Sequence, residues 1–365
     1  MDKSIIYYPI KLSFASAWRT YLGGKLIRGL HGEKNSQDDH FPEEWIMSVV
    51  SARNAGREHI RDEGMSYVVG EDKFTLKELV EAYPKDVLGK SHFDKYASSM
   101  GVLIKLIDSS ERLSIQVHPD KEKARMYFDS DFGKTECWHI LGGREINGEK
   151  PCIYMGFKAG ITKDRWKQVF DEQDIEGMLD CLYKFEVKEG DTFLIKGGMP
   201  HAIGAGCFLT EIQEPTDYTL RTERSTPSGL KIDDFMVHQG IGFEKMLDCF
   251  NYEGMTDYEA EKLRIKPEII EKTPDYTEYK IISYDDTPCF KMHKVTVSGE
   301  YTIKSDGVYK GVYVLEGAGK FICDDKAFDV SKAEQYMIPA SCKDVVVKNT
   351  TDKDIVLLLC NGPEV

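Results

Sequence analysis

Four residues in the middle of the sequence have the side chains and the spacing of a metal site. Gln116 and His118 are two apart in an alternating segment, so in a strand both side chains point to the same face. Glu136 follows a Gly-Lys-Thr turn, and His201 follows a Gly-Gly-Met-Pro loop that lets the backbone approach a cavity closely. Two imidazoles, a carboxylate and an amide oxygen suit a borderline divalent ion. Zinc fits, and manganese, iron and cobalt remain open.

The specificity of this pattern comes from the combination. A lone histidine is more often a hydrogen-bonded structural residue than a ligand. His139, three residues after Glu136, is therefore interpreted as structural or as support for the ligands. The four ligand types together, each at a strand or turn position, predict one metal ion per chain.

The overall composition excludes several classes of partner. The chain of 365 residues carries a formal charge of -14, which argues against duplex nucleic acid and anionic membrane surfaces. Apolar residues make up 41% and charged residues 30%, which is typical of a globular protein with a sizeable core. The length favours two packed units, and both a monomer and a homodimer remain open.

The nine cysteines are scattered along the chain, and no Cys-x-x-Cys occurs. An odd, separated set argues against a disulfide framework and a thiolate zinc cluster, and favours small buried side chains in a reducing compartment. The N-terminal segment lacks the layout of a signal peptide, and no apolar run is long enough to span a bilayer. We therefore expect a soluble, cytoplasmic protein.

Short strand and helix patterns must position the candidate ligands. In the first hundred residues, Ile5–Pro9 predicts an edge strand closed by proline, and Glu44–Val50 predicts another strand. Thr75 and Glu78 predict a capped helix start. Val102–Ile107 is continuously apolar, which is typical of a buried segment.

Strands and helices alternate around the candidate ligands. Residues 113–119 predict a strand that ends at Pro119, and a helix is expected to follow through Phe128. Residues 162–182 are mostly helical in pattern, and spaced Phe, Met and Leu at 231–263 predict a small helical insertion. Further strands are predicted at 183–187, 192–195 and 207–212.

The C-terminal part consists of short strands at close spacing, the signature of an antiparallel sandwich or barrel. Residues 189–196 weakly resemble residues 330–339, and this strand–turn layout recurs in the double-stranded β-helix of cupins. His201 falls near Asp344 in the second copy, so that copy is expected to lack metal. The sequence predicts a mainly β fold of two cupin-like jelly-roll barrels with helical insertions, divided at 1–230, 231–280 and 281–365.

Three motifs, in this order, resemble type I mannose-6-phosphate isomerase in its shorter bacterial form. They are QVHPD at 116–120, GKTECW at 133–138 and GGMPHAIGAGCFLTEIQEPTDYTLR at 197–221. The similarity is strong from about residue 103 to residue 221 and looser on both sides. It implies a zinc-dependent aldose–ketose isomerase on a cupin fold, with a phosphorylated sugar as substrate and the first domain as the catalytic one.

Carried over by position, the resemblance implies a set of site residues. The zinc ligands become Gln116, His118, Glu136 and His201. Arg221 falls on the family's catalytic arginine. The other polar positions that line the family's active site fall on Ser114, Lys134, Glu211 and Asp217. Arg221, Lys134, Glu211 and Asp217 are the predicted catalytic residues, and Ser114, Lys134 and Arg221 the predicted substrate-binding residues.

Two roles stay open in the sequence. The base that moves the proton between C1 and C2 of the sugar is a metal-bound hydroxide, Glu211 or Asp217. Arg224 and Lys231, which follow Arg221, are further candidates to bind the phosphate, because charge-assisted contacts hold phosphate oxygens well.

Departures from the family pattern surround the substrate and not the metal. The family's N-terminal Trp-Gly-Gly appears here as 22–24, Leu-Gly-Gly, and Leu220 stands where a tyrosine usually precedes the arginine. Another phosphorylated sugar is therefore a second hypothesis for the substrate. A cupin dioxygenase and a non-catalytic, metal-containing sugar-binding cupin are two rival hypotheses for the function. The Gln116-x-His118 pattern counts against the dioxygenase, and the metal set with Arg221 counts against the sugar-binding protein.

Overall fold

The computed structural model describes residues 2–54, 56–57, 59–70 and 73–365, and it is built mainly from β-strands. The prediction of a mainly β fold is confirmed. In chain order the strands are β1 (Ile10–Leu12), β2 (Ser16–Ala17), β3 (Glu43–Ile46), β4 (Leu103–Asp108), β5 (Gln116–Val117), β6 (Glu136–Gly143), β7 (Cys152–Phe157), β8 (Leu182–Glu186), β9 (Thr192–Ile195), β10 (His201–Ile203), β11 (Cys207–Gln213), β12 (Leu220–Arg221), β13 (Arg264–Ile265), β14 (Glu268–Lys272), β15 (Tyr276–Ile282), β16 (Lys291–Val297), β17 (Glu300–Ile303), β18 (Lys310–Glu316), β19 (Ala318–Cys323), β20 (Lys326–Ser331), β21 (Gln335–Ile338), β22 (Val345–Asn349) and β23 (Ile355–Asn361).

Short helices connect the strands, and several begin at a side-chain cap. They are α1 (Lys25–Leu30), α2 (Leu76–Ala82), α3 (Pro84–Leu88), α4 (Lys90–Tyr96), α5 (Lys121–Phe128), α6 (Lys163–Glu172), α7 (Ile175–Asp180), α8 (Asp234–His238), α9 (Phe243–Asp248) and α10 (Asp257–Glu261). The caps of α5 and α6 are Asp120 and Thr162, whose side chains accept backbone N–H groups of the first turn. Within the described residues, no helix has both the length and the apolar composition that crossing a membrane requires.

The first pair of sheets encloses the core that carries the candidate ligands. One sheet has the order β13-β9-β6-β11-β4-β3-β2, and the other has the order β12-β5-β10-β7-β8. Their inner faces share one buried apolar cluster, to which the first sheet contributes Trp138, Phe193 and Leu209 and the second contributes Ile153 and Ile203. Alternate residues of each strand point into this cluster, as expected for two packed sheets.

A second pair of sheets repeats this arrangement. Its sheets have the orders β1-β21-β18-β23-β16-β15-β14 and β17-β22-β19-β20. Val312, Val314 and Leu357 from the larger sheet pack against Phe321 and Val347 from the smaller one. This core is dominated by β-branched and aromatic side chains, which suit the pleated surface of a strand.

The two larger sheets also pack against each other through their outer faces. Ile104, Leu106 and Ile212 from the first pair lie in one buried cluster with Met337 and Leu358 from the second pair. Both larger sheets are therefore covered on both faces. This explains why β4 is buried along its whole length, as the continuous apolar run at Val102–Ile107 predicts.

Two short strands lie far in sequence from the sheets that they join. β1, near the start of the chain, pairs with β21 of the second pair of sheets, and β13 pairs with β9 of the first pair. The helices of the predicted insertion pack elsewhere: α8 and α9 share an apolar cluster with α6 and with the outer face of the five-stranded sheet. The limits 1–230, 231–280 and 281–365 stay a prediction, and hydrogen-bonded strands cross them.

The prediction of an edge strand at Ile5–Pro9 is wrong. Residues Lys3–Tyr7 form a 3-10 helix, because the Asp2 side chain accepts the backbone N–H of Ser4 at 2.9 Å and caps the first turn. The strand begins only at Ile10, directly after Pro9, whose nitrogen carries no hydrogen for a ladder.

The helix start predicted at Thr75 is confirmed and provides a stability test. Thr75 Oγ1 accepts the Glu78 N–H at 3.2 Å, and Glu78 Oε2 accepts the Thr75 N–H at 2.7 Å. We expect Thr75→Ala to lower the free energy of unfolding by about 1 kcal/mol, because a backbone N–H loses its partner. Chemical denaturation measures this, with Lys77→Ala on the exposed face of the same helix as the control. Equal effects of the two substitutions would contradict the capping argument.

Candidate metal centre and the cavity beside it

His118, Glu136 and His201 meet inside the first pair of sheets. Glu136 begins β6, His201 begins β10, and His118 directly follows β5. The Nε2 atoms of the two imidazoles lie 3.1 Å apart, and they lie 3.2 and 3.4 Å from the two oxygens of Glu136. All three side chains are buried. Within the described residues this is the group of His, Cys, Asp and Glu side chains whose atoms are close enough to share a metal ion.

The backbone fixes which nitrogen of each imidazole faces this centre. His118 Nδ1 lies 2.8 Å from the carbonyl oxygen of Tyr218, and His201 Nδ1 lies 2.8 Å from that of Met199. A carbonyl oxygen only accepts, so each Nδ1 carries the hydrogen and each Nε2 presents its lone pair to the centre. Such backbone partners orient metal-ligating histidines.

The centre therefore has more acceptors than donors. No hydrogen-bond donor of the described residues reaches Glu136 Oε1, which is fully buried. Lys134 Nζ is the cation present, 2.7 Å from His118 Nε2 and 2.8 Å from Glu136 Oε2. Two lone pairs and a buried carboxylate oxygen converging on one point fit a bound cation.

Gln116 stands where the sequence predicts a fourth ligand. It pairs with His201 across β5 and β10, and its amide lies 3.2 Å from His201 Nε2. Half a turn of the amide group presents the oxygen at the same place. Its ligand role stays a prediction, as do those of the other three residues.

Burial keeps the two imidazoles neutral. It lowers the pKa of His118 to about 4, with the Lys134 ammonium adding to the effect, and it also lowers the pKa of His201. Burial alone would raise the pKa of Glu136, but Lys134 and His118 outweigh it and hold the pKa well below the ordinary value. Neutral imidazole and carboxylate are the forms that bind metal.

A polar cavity opens beside the centre and contains the other predicted residues. Ser114, Lys134, Glu211, Asp217 and Arg221 all line it, together with Gln116. Arg221 donates to the carbonyl oxygens of Thr219 and Met236 at 3.3 and 3.1 Å. Burial lowers the pKa of Arg221 to about 10, so the guanidinium stays charged at neutral pH.

Three comparisons relate this chain to known proteins. Residues 58–135 match the model of the family described as phosphomannose isomerase type I, catalytic domain. The chain is 28% identical over 257 residues to the probable mannose-6-phosphate isomerase GmuF of Bacillus subtilis (strain 168), covering 69% of this chain and 73% of GmuF. The family-model match includes Gln116 and His118. The chain is therefore similar to type I phosphomannose isomerases in sequence.

Solved structures share the whole architecture. The crystal structure of the mannose 6-phosphate isomerase from Bacillus subtilis superposes with a TM-score of 0.74 at 24% identity, covering 97% of this chain and 99% of that one. A mannose 6-phosphate isomerase bound with zinc and yttrium superposes with a TM-score of 0.71 at 16% identity, covering 97% and 99%. At these identities the likeness concerns the fold. The resemblance to type I phosphomannose isomerases that the sequence motifs indicate is confirmed.

The type I phosphomannose isomerase motifs do not name three charged residues that also line the cavity: Arg19, Glu43 and Lys105. Arg19 bridges Glu43, at 2.9 Å, and Asp217, at 3.1 Å. Lys105 Nζ lies 2.9 Å from Glu211. A lysine inside the apolar run Val102–Ile107 was the available signal, because a charge is seldom buried in a strand without a partner.

Two residues proposed from the sequence as phosphate ligands do not line this cavity. Arg224 is half exposed and pairs with Asp234 at 3.2 Å, and Lys231 is exposed. His139 lies in the core, where its Nδ1 is 2.8 Å from Thr192 Oγ1. The location of His139 agrees with the structural interpretation of the sequence.

The buried lysine gives a stability prediction. We expect Lys105→Met to lower the free energy of unfolding by about 3 kcal/mol, because Glu211 loses its cation while it remains buried. The double variant Lys105→Met/Glu211→Gln removes both charges and keeps an acceptor for Trp138 Nε1, which donates to Glu211 at 2.8 Å. Chemical denaturation should therefore show the double variant to be more stable than the single one. The reverse order would refute this account.

Proposed function

We propose that this protein interconverts mannose 6-phosphate and fructose 6-phosphate with a bound zinc ion. The observation that carries the proposal is the buried His118, Glu136 and His201 cluster, which opens onto a cavity containing Arg221 in a chain similar to type I phosphomannose isomerases. The reaction moves a proton between C1 and C2 of the sugar and develops negative charge on the neighbouring oxygens. A site for it needs a fixed positive environment for those oxygens and access for one small substrate.

The ligand chemistry supports zinc. His118, Glu136 and His201 offer two neutral nitrogens and one carboxylate, with Gln116 as a fourth ligand through its amide oxygen. Zinc binds such nitrogen and oxygen sets in catalytic sites and keeps a position open. When bound, the ion supplies Lewis-acid stabilisation of the developing oxyanion.

Lys134 and Arg221 supply the remaining positive charge. Lys134 lies beside two of the proposed ligands, and its side chain is buried. Arg221 is held in place by two backbone carbonyl oxygens, so its charge is oriented before the substrate arrives. We assign both residues to stabilisation of the enediolate, and Ser114, on the loop between β4 and β5, to contact with the sugar.

Glu211 and Asp217 are assigned to positioning and not to proton transfer. The two oxygens of Glu211 accept from Lys105 Nζ and Trp138 Nε1. Burial would raise the pKa of Asp217, but Arg19 and Lys105 outweigh it and hold that pKa well below the ordinary value. A carboxylate with so low a pKa is a weak base. Both residues instead fix the cations of the cavity wall.

A coupled assay with metal-analysed protein tests the proposal. Turnover of mannose 6-phosphate should disappear after treatment with a chelator and should return on addition of zinc, and the zinc content should be near one per chain. Glucose 6-phosphate and other phosphorylated aldoses serve as parallel substrates. Preference for one of them would reject mannose 6-phosphate as the substrate. Turnover that survives complete removal of metal would reject the proposed role of zinc.

A further inference from the structure

Most strands of the first pair of sheets have a counterpart in the second pair. The order β9-β6-β11-β4-β3-β2 of the first pair corresponds to β21-β18-β23-β16-β15-β14 of the second. In the smaller sheets, β5-β10-β7-β8 corresponds to β17-β22-β19-β20. The cross-strand register therefore identifies the counterparts of positions on these strands of the first pair.

Three of the proposed metal ligands have counterparts without a carboxylate, an imidazole or an amide oxygen. Glu136 lies opposite Ile195 in β9, and Lys310 lies opposite Ile338 in β21, so an ammonium replaces the carboxylate. In the smaller sheets, the pairing of Gln116 with His201 corresponds to a pairing between two apolar residues, Ile303 and Val345. The charge at the centre is thus reversed.

Part of the polar wall is nevertheless retained. Glu43, opposite Ile107, corresponds to Glu278, opposite Val295. Lys105, opposite Glu211, corresponds to His293, opposite Leu359. In the second barrel, His293 Nδ1 lies 2.7 Å from Glu278 Oε1. An acid next to a base therefore recurs at the same place, although the proposed metal ligands are gone.

A cavity of about 530 Å³ opens at these residues. This volume is within the range of small-molecule sites. Tyr276 and Tyr301 form an edge-on ring pair in its wall, with centroids 4.9 Å apart. The other lining residues are largely polar: Glu271, Glu278, Lys291, His293, Glu300, Thr302, Ile303, Lys304, Asp306, Lys310, Leu359 and Asn361.

Three of these residues present nitrogen donors on one face. Lys291 pairs with Asn361 across β16 and β23, and Lys310 begins the neighbouring strand β18. The Lys310 side chain is 10% exposed and pairs with Asp306, which is half exposed. Within the described residues, Lys291 forms no ion pair, and its ammonium lies 5.5 Å from the centre of the Tyr284 ring. An anionic group can therefore gain two ammonium contacts here.

We propose that this cavity is a second ligand site and that it binds a phosphorylated sugar. Lys291 and Lys310 contact the phosphate, and Asn361 contributes its amide. The carboxylates of Glu278 and Asp306 accept sugar hydroxyl groups, and the rings of Tyr276 and Tyr301 pack against the apolar face of the sugar. A lining that holds carboxylates as well as cations suits a molecule with hydroxyl groups and one phosphate better than a simple anion.

Equilibrium dialysis of the zinc-loaded, full-length protein with labelled mannose 6-phosphate tests the proposal. The wild type should bind two equivalents of sugar phosphate per chain. Lys310→Met should raise the dissociation constant of one of the two equivalents at least about tenfold, because one charge-assisted contact is lost. The turnover number at saturating substrate should change by less than about twofold. Lys320→Met, at an exposed lysine paired with Asp329 in the same barrel, is the matched control and should bind two equivalents.

Several outcomes decide against the site. One equivalent in the wild type, or two tight equivalents in Lys310→Met, overturns the proposal. If inorganic phosphate binds the second site as tightly as mannose 6-phosphate does, the proposed contacts with the sugar are wrong. Lys291→Met is the second variant, in case Lys310→Met does not fold, and thermal unfolding confirms the folded state of each. Glucose 6-phosphate in place of mannose 6-phosphate shows whether the site selects among sugars.

Discussion

The variant Glu136→Ala is expected to lose its bound metal and at least about a thousandfold in turnover. The carboxylate is the only charged member of the proposed ligand set, and it contacts both imidazoles. A Lewis acid contributes several kcal/mol to the stabilisation of an oxyanion, which corresponds to about three orders of magnitude in rate. Metal analysis after dialysis and the coupled assay measure the two losses in one preparation.

A matched control separates this effect from a general loss of negative charge. Glu186 is exposed on β8 and pairs with Lys150 at the surface, so Glu186→Ala removes the same group far from the ligands. It should keep both the metal and the turnover. Near-stoichiometric metal in Glu136→Ala would reject the ligand assignment, whatever the activity. His118→Ala should behave like Glu136→Ala.

The variant Arg221→Ala is expected to keep its metal and to lose about a hundredfold to a thousandfold in turnover number. The guanidinium lines the cavity next to Gln116, but Arg221 is not one of the proposed metal ligands. Removal of one preorganised donor that stabilises a developing oxyanion costs about this much. Steady-state kinetics with metal analysis test both parts of the expectation.

The type of substitution and its position sharpen this test. Arg221→Lys keeps the charge but loses the two-carbonyl anchor, so it should recover only part of the rate. Arg224→Ala, three residues further, removes an arginine that is half exposed and paired with Asp234, and it should be near wild type. If Arg221→Ala raised only KM, the arginine would be a binding residue and its assignment to the enediolate would fall.

The sequence predicted the cluster of His118, Glu136 and His201 because these residues lie in short, recognisable segments. His118 follows an alternating strand, and His201 follows a glycine-rich loop, so each position could be found locally. The same holds for the helix that Thr75 caps, whose signal is complete within four residues. Periodicity also predicted several strands of the second pair of sheets.

The cavity wall could not be found in that way. Glu43 and Lys105 lie far apart in sequence, and they meet because β3 and β4 are neighbours in one sheet. Arg19 reaches Glu43 from the segment that follows β2. One sequence gives no strand register across such distances. The strand prediction for Ile5–Pro9 was wrong for the opposite reason. One local hydrogen bond of Asp2 outweighed the strand propensity of its neighbours.

The pairing of β1 with β21 has a consequence for synthesis on the ribosome. Lys11 and Glu334, whose side chains form an ion pair between these strands, are 323 residues apart in the chain. At about 5–20 residues per second, the first strand waits roughly 15 to 65 seconds for its partner to be made. The first pair of sheets can assemble during that time, but the outer edge of the larger sheet of the second pair closes only when translation is nearly complete. This ladder thus joins one of the earliest segments of the chain to one of the later ones.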